Sequence, residues 1–361
     1  MMKRSVNIIG WDNGGGLSRD IALLRTVLEA EGYRVFLNRS YHGARPLPSS
    51  ARASMRLRAT RFGKAAVSRA GFRPPFELNI HVEDLQPGYF WLAQRNILIP
   101  NQEWFVPASK PHLAAITEVW AKTRVAHRLF SQLGCTVRLI GWTSEDRRIS
   151  GMTGPKENVG LHVAGSSTGK GTDAVLDVWA RHPDWPTLRV LRRPHNYFGR
   201  TIPWRQRESV PHIEMVTDRV DEQTLRRLQN DSALYLCPSE AEGFGHIILE
   251  GLSVGGVVIT TDAPPMNELV TADAGLRVAV ERTEPMGIGE RYFVSHEDLE
   301  RKIFRALAMS QAERDAFGRA ARARFEAIDQ AFRRRIRECL EAVFEERAPE
   351  QADTPVAMND P

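Results

Sequence analysis

Two glutamates, Glu242 and Glu250, stand eight positions apart around a Gly-Phe-Gly turn in the stretch SEAEGFGHIILEGL, residues 239–252. Glu242 directly precedes the turn, and Glu250 lies inside an otherwise apolar run. An ionised carboxylate in apolar surroundings is costly unless hydrogen-bond donors surround it, and the paired hydroxyls of a sugar are such donors. A simpler interpretation leaves Glu242 exposed and has Glu250 cap a helix or pair with an arginine.

The residues between these glutamates suit a bound phosphate. A helix that begins near Phe244 presents free backbone N–H groups and a partial positive charge at its first turn, which attract a phosphate or a diphosphate. Gly243 and Gly245 lack the Cβ atoms that would keep such a ligand at a distance. The stretch therefore predicts a diphosphate site with a carboxylate on either side.

The longer stretch YLCPSEAEGFGHIILEGLSVGGVVITTD, residues 235–262, resembles the nucleotide-sugar signature of retaining glycosyltransferases with the GT-B fold, of the family-4 type. The E-x7-E motif of that family is complete here. The resemblance implies that Glu242 is catalytic and lies against the transferred sugar, while Glu250 binds the ribose of the donor. It also implies donor contacts from Gly243, Phe244 and Gly245.

The stretch HVAGSSTGKGTDAVLDVW, residues 162–179, resembles the strand, lysine loop and helix of the same family. This resemblance implies that Lys170 is catalytic and lies on the donor diphosphate. The family usually has an arginine five residues before the lysine, where this chain has Gly165. Arg192 or Arg193, at the end of the next predicted strand and on the ligand side of the sheet, is expected to supply the missing charge.

Two further segments are expected to contact the donor. TTDAPPMNEL, residues 260–269, resembles the loop after the next strand of the family and brings in Glu268. The sequence DNGGG includes Gly14 and Gly15, which let backbone approach a ligand in the cleft, although a tight turn alone also explains them. The G-x-G-x-x-G spacing of a dinucleotide site is missing.

Polar residues at two strand ends of the first half complete the predicted site. His81, in LNIHVED, is expected to be catalytic near the donor sugar, and a satisfied core histidine is the equal alternative. Asn101 and Glu103, in NQEW, are expected to bind the acceptor.

The predicted reaction moves a sugar from a nucleoside-diphosphate sugar to an acceptor hydroxyl with retention. The resemblance implies a same-face displacement in which the leaving phosphate takes the acceptor proton. No Asp-x-Asp occurs in the chain, so we expect neither a metal nor a cofactor, and the nucleotide sugar is itself a substrate. The expected acceptor is a sugar, a lipid-linked molecule or another hydroxyl compound.

Short apolar strands alternate with helical patterns in both halves of the chain, which predicts an α/β protein with parallel sheets. The resemblance specifies two Rossmann-like parallel-sheet domains facing a cleft, with a C-terminal helix crossing back to the first domain. Predicted boundaries are 1–145 for the N-terminal, acceptor-side domain, 156–328 for the nucleotide-sugar domain, 329–347 for the returning helix and 348–361 for a disordered tail. An apolar stripe marks the returning helix at Phe332, Ile336, Leu340 and Phe344.

The composition fits this organisation. A chain of 361 residues suits two domains, no apolar run reaches the roughly 20 residues of a membrane span, and three scattered cysteines indicate neither disulfides nor zinc. The apolar run at the start is too short for a signal peptide. We expect a cytoplasmic protein in cell-surface glycan or glycolipid synthesis.

A net charge of +5 with a pI near 9.3 favours anionic partners. Residues 44–76 contain eight Lys or Arg and no acid. This segment is predicted to contact an anionic membrane at its inner face or a phosphorylated acceptor, with a solvated loop and helix as the alternative. Sparse aromatic residues make nucleic acid an unexpected partner.

Two other functions fit the same layout. A nucleotide-sugar epimerase with the GT-B fold would not need the intact E-x7-E. A non-catalytic GT-B-like binding subunit is suggested by Gly165, which stands where the family has an arginine.

Overall fold

The computed structural model describes residues 4–11, 14–39, 74–152, 157–197, 200–202 and 210–345. The predicted membrane-contact segment 44–76 lies outside these ranges up to residue 73, and the predicted tail 348–361 lies outside them entirely.

The first domain is built on a parallel sheet of six strands. In chain order they are β1 Ser5–Gly10, β2 Arg34–Arg39, β3 Phe76–Glu83, β4 Ala93–Pro100, β5 Glu118–Ala121 and β6 Val137–Leu139. Their spatial order is β2-β1-β3-β4-β5-β6. The runs that alternate with helical patterns in the sequence form these strands, because a sheet covered on both faces buries nearly continuous apolar segments.

The second domain repeats this architecture. Its parallel sheet has the order β11-β8-β7-β12-β13-β14, with β7 Glu157–Gly165, β8 Leu188–Arg192, β11 Ile213–Val216, β12 Ser232–Cys237, β13 Val257–Thr261 and β14 Gly275–Val278. Two antiparallel pairs lie outside this sheet: β9 His195–Tyr197 with β10 Arg200–Ile202, and β15 Val280–Met286 with β16 Gly289–Val294.

Helices cover the sheets and connect their strands. They are α1 Gly16–Ala30, α2 Arg124–Gln132, α3 Thr172–Trp179, α4 Glu222–Asp231, α5 His246–Ser253, α6 Met266–Leu269, α7 His296–Leu307 and α8 Gln311–Glu345. Two 3-10 helices, Pro87–Leu92 and Pro107–Ala115, belong to the first domain. Among the described residues, none of these helices is long and apolar enough to cross a membrane.

The last helix, α8, runs unbroken for 35 residues, so the predicted separate helix at 329–347 is its second half. It begins at a capping box in which Ser310 and Glu313 bond each other's backbone N–H groups. Gly318 lets the helix lie close to Gly255, since a Cβ there would stand 2.8 Å from the Gly255 carbonyl oxygen. The helix therefore continues across both domains.

The C-terminal half of α8 packs on the first domain. Phe332 contacts the ring of Trp142 in an edge-to-face arrangement, and Phe344 stacks on Tyr33. Phe332, Ile336, Leu340 and Val343 are buried. The apolar stripe seen in the sequence thus belongs to an interdomain contact.

The β15–β16 hairpin also reaches the first domain. Ile288, at its tip, packs against the apolar cluster that contains Phe105 and Phe130. Gly287 has a φ of +60° and lies so close to the first domain that a Cβ would stand 3.0 Å from the Glu103 carbonyl oxygen. The sequence patterns gave no indication of this contact.

Candidate active site

The carboxyl ends of the two sheets face each other across a cleft, where ligands of open α/β sheets bind. The 101–104 loop after β4 meets the 239–245 loop after β12. Gln102 Nε2 donates to the Glu242 backbone oxygen at 2.6 Å. A Cβ on Gly243 would stand 2.4 Å from Asn101 Oδ1 and 3.0 Å from Glu103 Oε1. The structure therefore brings the predicted acceptor residues Asn101 and Glu103 against the predicted donor loop.

Glu242 and Lys170 form a part-buried ion pair in this cleft. Lys170 Nζ and Ser239 Oγ both donate to Glu242 Oε1, the latter at 2.7 Å. The two charges compensate each other where water is scarce, and the lysine keeps further N–H groups for a ligand. The two residues that the sequence predicted to be catalytic from separate motifs are thus in direct contact.

Two helix N-termini point into the cleft beside this pair. Helix α5 begins after Gly245, whose φ of +111° favours glycine. Helix α1 begins after Gly14 and Gly15, and a Cβ on Gly16 would stand 3.8 Å from the His246 ring. The first turn of a helix favours anions, so the two termini bring Gly14, Gly15, Gly243 and Gly245 to a place where a diphosphate could bind, and their role in binding stays a prediction.

Arg192 lies next to the glycine that replaces the expected arginine. It ends β8 and is the strand partner of Gly165 in β7, and it is 3.7 Å from Asp173. Burial lowers the pKa of His162 to about 4, and the charges of Arg192 and Lys170 act in the same direction. Both cations therefore lie near His162, and the contact of Arg192 with the donor stays a prediction.

Glu250 is not turned to the open cleft. Only 1% of its surface is exposed, its Oε1 accepts from Arg19 at 2.7 Å, and its Oε2 accepts from Gln229 at 2.7 Å. The structure therefore shows the alternative interpretation, in which Glu250 pairs with an arginine. This arginine, Arg19, comes from α1 of the other domain. A ribose would have to replace Arg19 to bond this carboxylate.

A buried polar network joins the domains behind the glycines, and the sequence patterns did not reveal it. Asp20 accepts from Lys122 Nζ at 2.9 Å and bonds His246 Nε2 at 2.9 Å, while His246 Nδ1 bonds Ser144 Oγ at 2.7 Å. Burial would raise the pKa of Asp20, but Lys122 and His246 lower it well below its usual range. His246 lies inside the 239–252 stretch, and this position in the predicted site was the feature of the sequence that could have indicated it.

The side chains of three predicted site residues make contacts within the protein instead of facing the cleft. His81 is buried in the core of the first domain, where Nε2 contacts Asn96 Oδ1 at 3.3 Å and Nδ1 accepts from the Gln86 N–H at 3.3 Å, so its role as a catalytic residue at the cleft is not supported. Glu268 accepts the N–H groups of Arg124 and Val125, and so stabilises the start of α2 instead of holding a donor. The ring of Phe244 is buried among apolar side chains, which leaves only its backbone for a ligand.

Three acidic residues of the first domain lie at or just after the carboxyl ends of β3 and β4. Burial raises the pKa of Glu83 to about 7, of Asp84 to about 6 and of Glu103 to about 8. The charges of Glu242 and Glu83 also raise the pKa of Glu103, and Lys122 opposes them. Glu83 ends β3 with a φ of +76°, a strained backbone of the kind found at binding sites. Glu83 and Asp84 follow His81 at the end of the same strand, so this position could have marked them as candidate site residues.

Comparisons with solved structures identify the fold. Sucrose-phosphate synthase from Thermosynechococcus elongatus superposes with a TM-score of 0.65 at 14% identity, over 95% of this chain and 99% of that chain. The UDP-forming α,α-trehalose-phosphate synthase from Burkholderia vietnamiensis gives the same TM-score, identity and coverage. Anabaena HepE in complex with UDP and glucose gives 0.59 at 15% identity, over 94% and 100%. The chain has the GT-B fold.

The GT-B chain also carries a family match within its second domain. Residues 211–324 match the family described as Glycosyl transferases group 1, which is less than half of the chain. That range includes α5 and the whole 239–245 loop. A search of curated protein sequences gives no significant match. The predicted fold class is confirmed, while the family-4 type and the E-x7-E roles stay predictions.

Proposed function

We propose that this GT-B protein is a retaining glycosyltransferase that moves a sugar from a nucleoside-diphosphate sugar to an acceptor hydroxyl. The observation that carries the proposal is the Lys170–Glu242 ion pair at the N-terminus of α5, directly across the cleft from the N-terminus of α1. The match of residues 211–324 to Glycosyl transferases group 1 supports it.

The donor diphosphate would lie between the two helix termini. Lys170, Arg192 and the free N–H groups of α5 supply the positive charge that stabilises the departing phosphate, so no metal is required in this proposal. Glu242 then faces the transferred sugar, and its bond from Ser239 fixes the orientation of the carboxylate. The acceptor would enter from the 101–104 loop on the opposite wall.

We propose retention because residues 162–179 and 235–262 resemble retaining glycosyltransferases. All of the charge-stabilising groups belong to the diphosphate side of the sugar, so the acceptor can attack on the face that the leaving group vacates while the phosphate takes its proton. UDP is the first nucleotide to test, because HepE is described in complex with UDP and glucose. We further propose a cytoplasmic enzyme of cell-surface glycan synthesis, with residues 44–76 at the inner membrane face.

Donor binding is measured by calorimetry and thermal shift with UDP, GDP, ADP and their sugars, with and without EDTA. A nucleotide present at 100 times its Kd should raise stability by about 2.7 kcal/mol. Indifference to every nucleotide and nucleotide sugar would refute the proposal. Nucleotide binding without turnover would favour the non-catalytic subunit, and conversion of the donor itself would favour an epimerase.

Lys170→Met tests the catalytic assignment. Loss of one charge-stabilising donor should lower kcat by about 10²- to 10³-fold. The matched control is Lys110→Met, which changes an exposed lysine of the first domain and should leave kcat unchanged. Wild-type turnover by the Lys170 variant, folded as judged by its melting temperature, would contradict the mechanism. Product configuration at the anomeric carbon is read by NMR.

A further inference from the structure

We propose that the first-domain wall of the cleft binds an unphosphorylated saccharide as the acceptor, held by Glu83, Gln102 and Glu103 and stacked against Trp104. This inference rests on the proposed function and names the substrate class of that same cleft. The position of these side chains at the carboxyl ends of the strands, two buried oxygens and the charge of the wall support it.

The sheet places these residues side by side. Strands β1, β3 and β4 are neighbours, with Ile9 level with His81 and Glu83 level with Pro100. Continuing that register puts Trp11 level with Glu83. Adjacent strands lie about 4.8 Å apart, so β1 and β4 are separated by about 10 Å, which is room for one sugar ring between their loops.

Tryptophan flanks the carboxylates on both sides. Trp11 follows β1 and is 38% exposed, and Trp104 follows β4 and is 58% exposed. Large aromatic rings usually contribute buried area, and their faces pack on apolar surface. The C–H faces of a sugar ring offer such surface while its rim offers hydroxyls. Exposed rings beside carboxylates therefore match a saccharide better than they match a compact anion.

Two buried oxygens in this wall require hydrogen-bond donors. Gln102 is 4% exposed, and its Oε1 has no partner among the residues that the structure describes. Within the same described ranges, Glu103 Oε2 is also buried without one. Both residues lie against the 239–245 loop, where an acceptor must meet the transferred sugar. Hydroxyl or amino groups can donate to the Gln102 oxygen, whereas an ionised phosphate offers only acceptors.

The charge of the wall also disfavours a phosphate. Glu83 and Glu103 belong to this wall, and the nearby cation Lys122 is already bonded to Asp20 and Asn101. Burial raises the pKa of Glu83 to about 7, so near neutral pH its carboxyl can donate as well as accept. A phosphate would gain no compensating charge from Lys122, while sugar hydroxyls could both donate to and accept from these carboxyl groups.

The test uses the full chain on a glycan array that carries neutral, amino-bearing and phosphorylated saccharides, with and without saturating UDP. Hits are then titrated as free sugars and as their phosphates by saturation-transfer NMR. We expect unphosphorylated saccharides to bind at least tenfold more tightly than their phosphates. Comparing the neutral with the amino-bearing saccharides shows whether the wall prefers hydroxyl or amino groups as hydrogen-bond donors. Tighter binding of the phosphates, or no binding of any unphosphorylated saccharide, would overturn the inference.

Matched variants locate the site. Trp104→Ala should weaken saccharide binding about tenfold without changing UDP binding. Glu103→Gln should lower the ratio of the affinity for the unphosphorylated saccharide to the affinity for its phosphate. The control is Trp91→Ala, a tryptophan that is 42% exposed and lies just before β4, at the opposite end of that strand. Equal effects of the two tryptophan variants would overturn the inference. UDP is titrated separately. If the wild-type chain binds the saccharide but not UDP, the donor proposal fails while this inference stands.

Discussion

Gly243→Ala probes whether the two walls of the cleft meet as the structure has them. The added Cβ would stand 2.4 Å from Asn101 Oδ1, 2.6 Å from Asn101 Cγ and 3.0 Å from Glu103 Oε1. Carbon contacts are comfortable at about 3.5 Å or more, so Asn101 must move by about 1 Å. It cannot do so freely, because its side chain accepts from Lys122 and its backbone N–H donates to the Glu83 oxygen at 3.3 Å.

Overpacking of this kind costs about 1–3 kcal/mol. The backbone of Gly243 is not in the left-handed region, so contacts alone produce the effect. For a domain of this size each kcal/mol lowers the melting temperature by about 2–4 °C. Gly16→Ala is the matched control from the other wall, since its added Cβ would lie 3.8 Å from His246, an ordinary contact. It should change stability by less than about 0.5 kcal/mol.

A double-mutant cycle isolates the contact. Asn101→Ala removes both Asn101 atoms from the clash, so combining it with Gly243→Ala should recover about 0.5–3 kcal/mol relative to the sum of the single changes. Stability is measured by urea unfolding of all four proteins. Strict additivity, or a Gly243 variant as stable as the Gly16 control, would refute the closed contact between the 101–104 and 239–245 loops.

Two further outcomes follow from buried charges at the cleft. Because burial raises the pKa of Glu103 to about 8 from 4.5, the folded protein holds this proton more tightly than the unfolded chain, and wild-type stability should fall as pH rises from about 4.5 through 8. Glu103→Gln should flatten that fall in melts between pH 5 and 9, and parallel curves would contradict it. Arg19→Met frees Glu250 Oε1 for a ribose and should tighten UDP binding several-fold in calorimetry, whereas Arg25→Met, on the same helix, should not. Weaker UDP binding by the Arg19 variant alone would exclude Glu250 as a ribose ligand.

Local patterns carried most of the fold and part of the site. The alternation of apolar strands and helices predicted both parallel sheets, because burial of a strand on two faces leaves a short continuous apolar run between helical patterns. The Gly-Phe-Gly turn predicted the start of α5, since free N–H groups and missing Cβ atoms are properties of a few adjacent residues. The capping box of Ser310 and Glu313 at the start of α8 is likewise formed by residues only three positions apart.

Tertiary structure alone decided which partner each charged side chain takes. Glu250 bonds Arg19 from 231 positions away, and Glu268 stabilises the start of a helix in the other domain. His81 and Glu83 stand two residues apart in one strand, yet one is in the core and the other lines the cleft. Spacing along the chain fixes which face a residue occupies, but the free energy of a buried charge depends on donors that packing brings from distant segments.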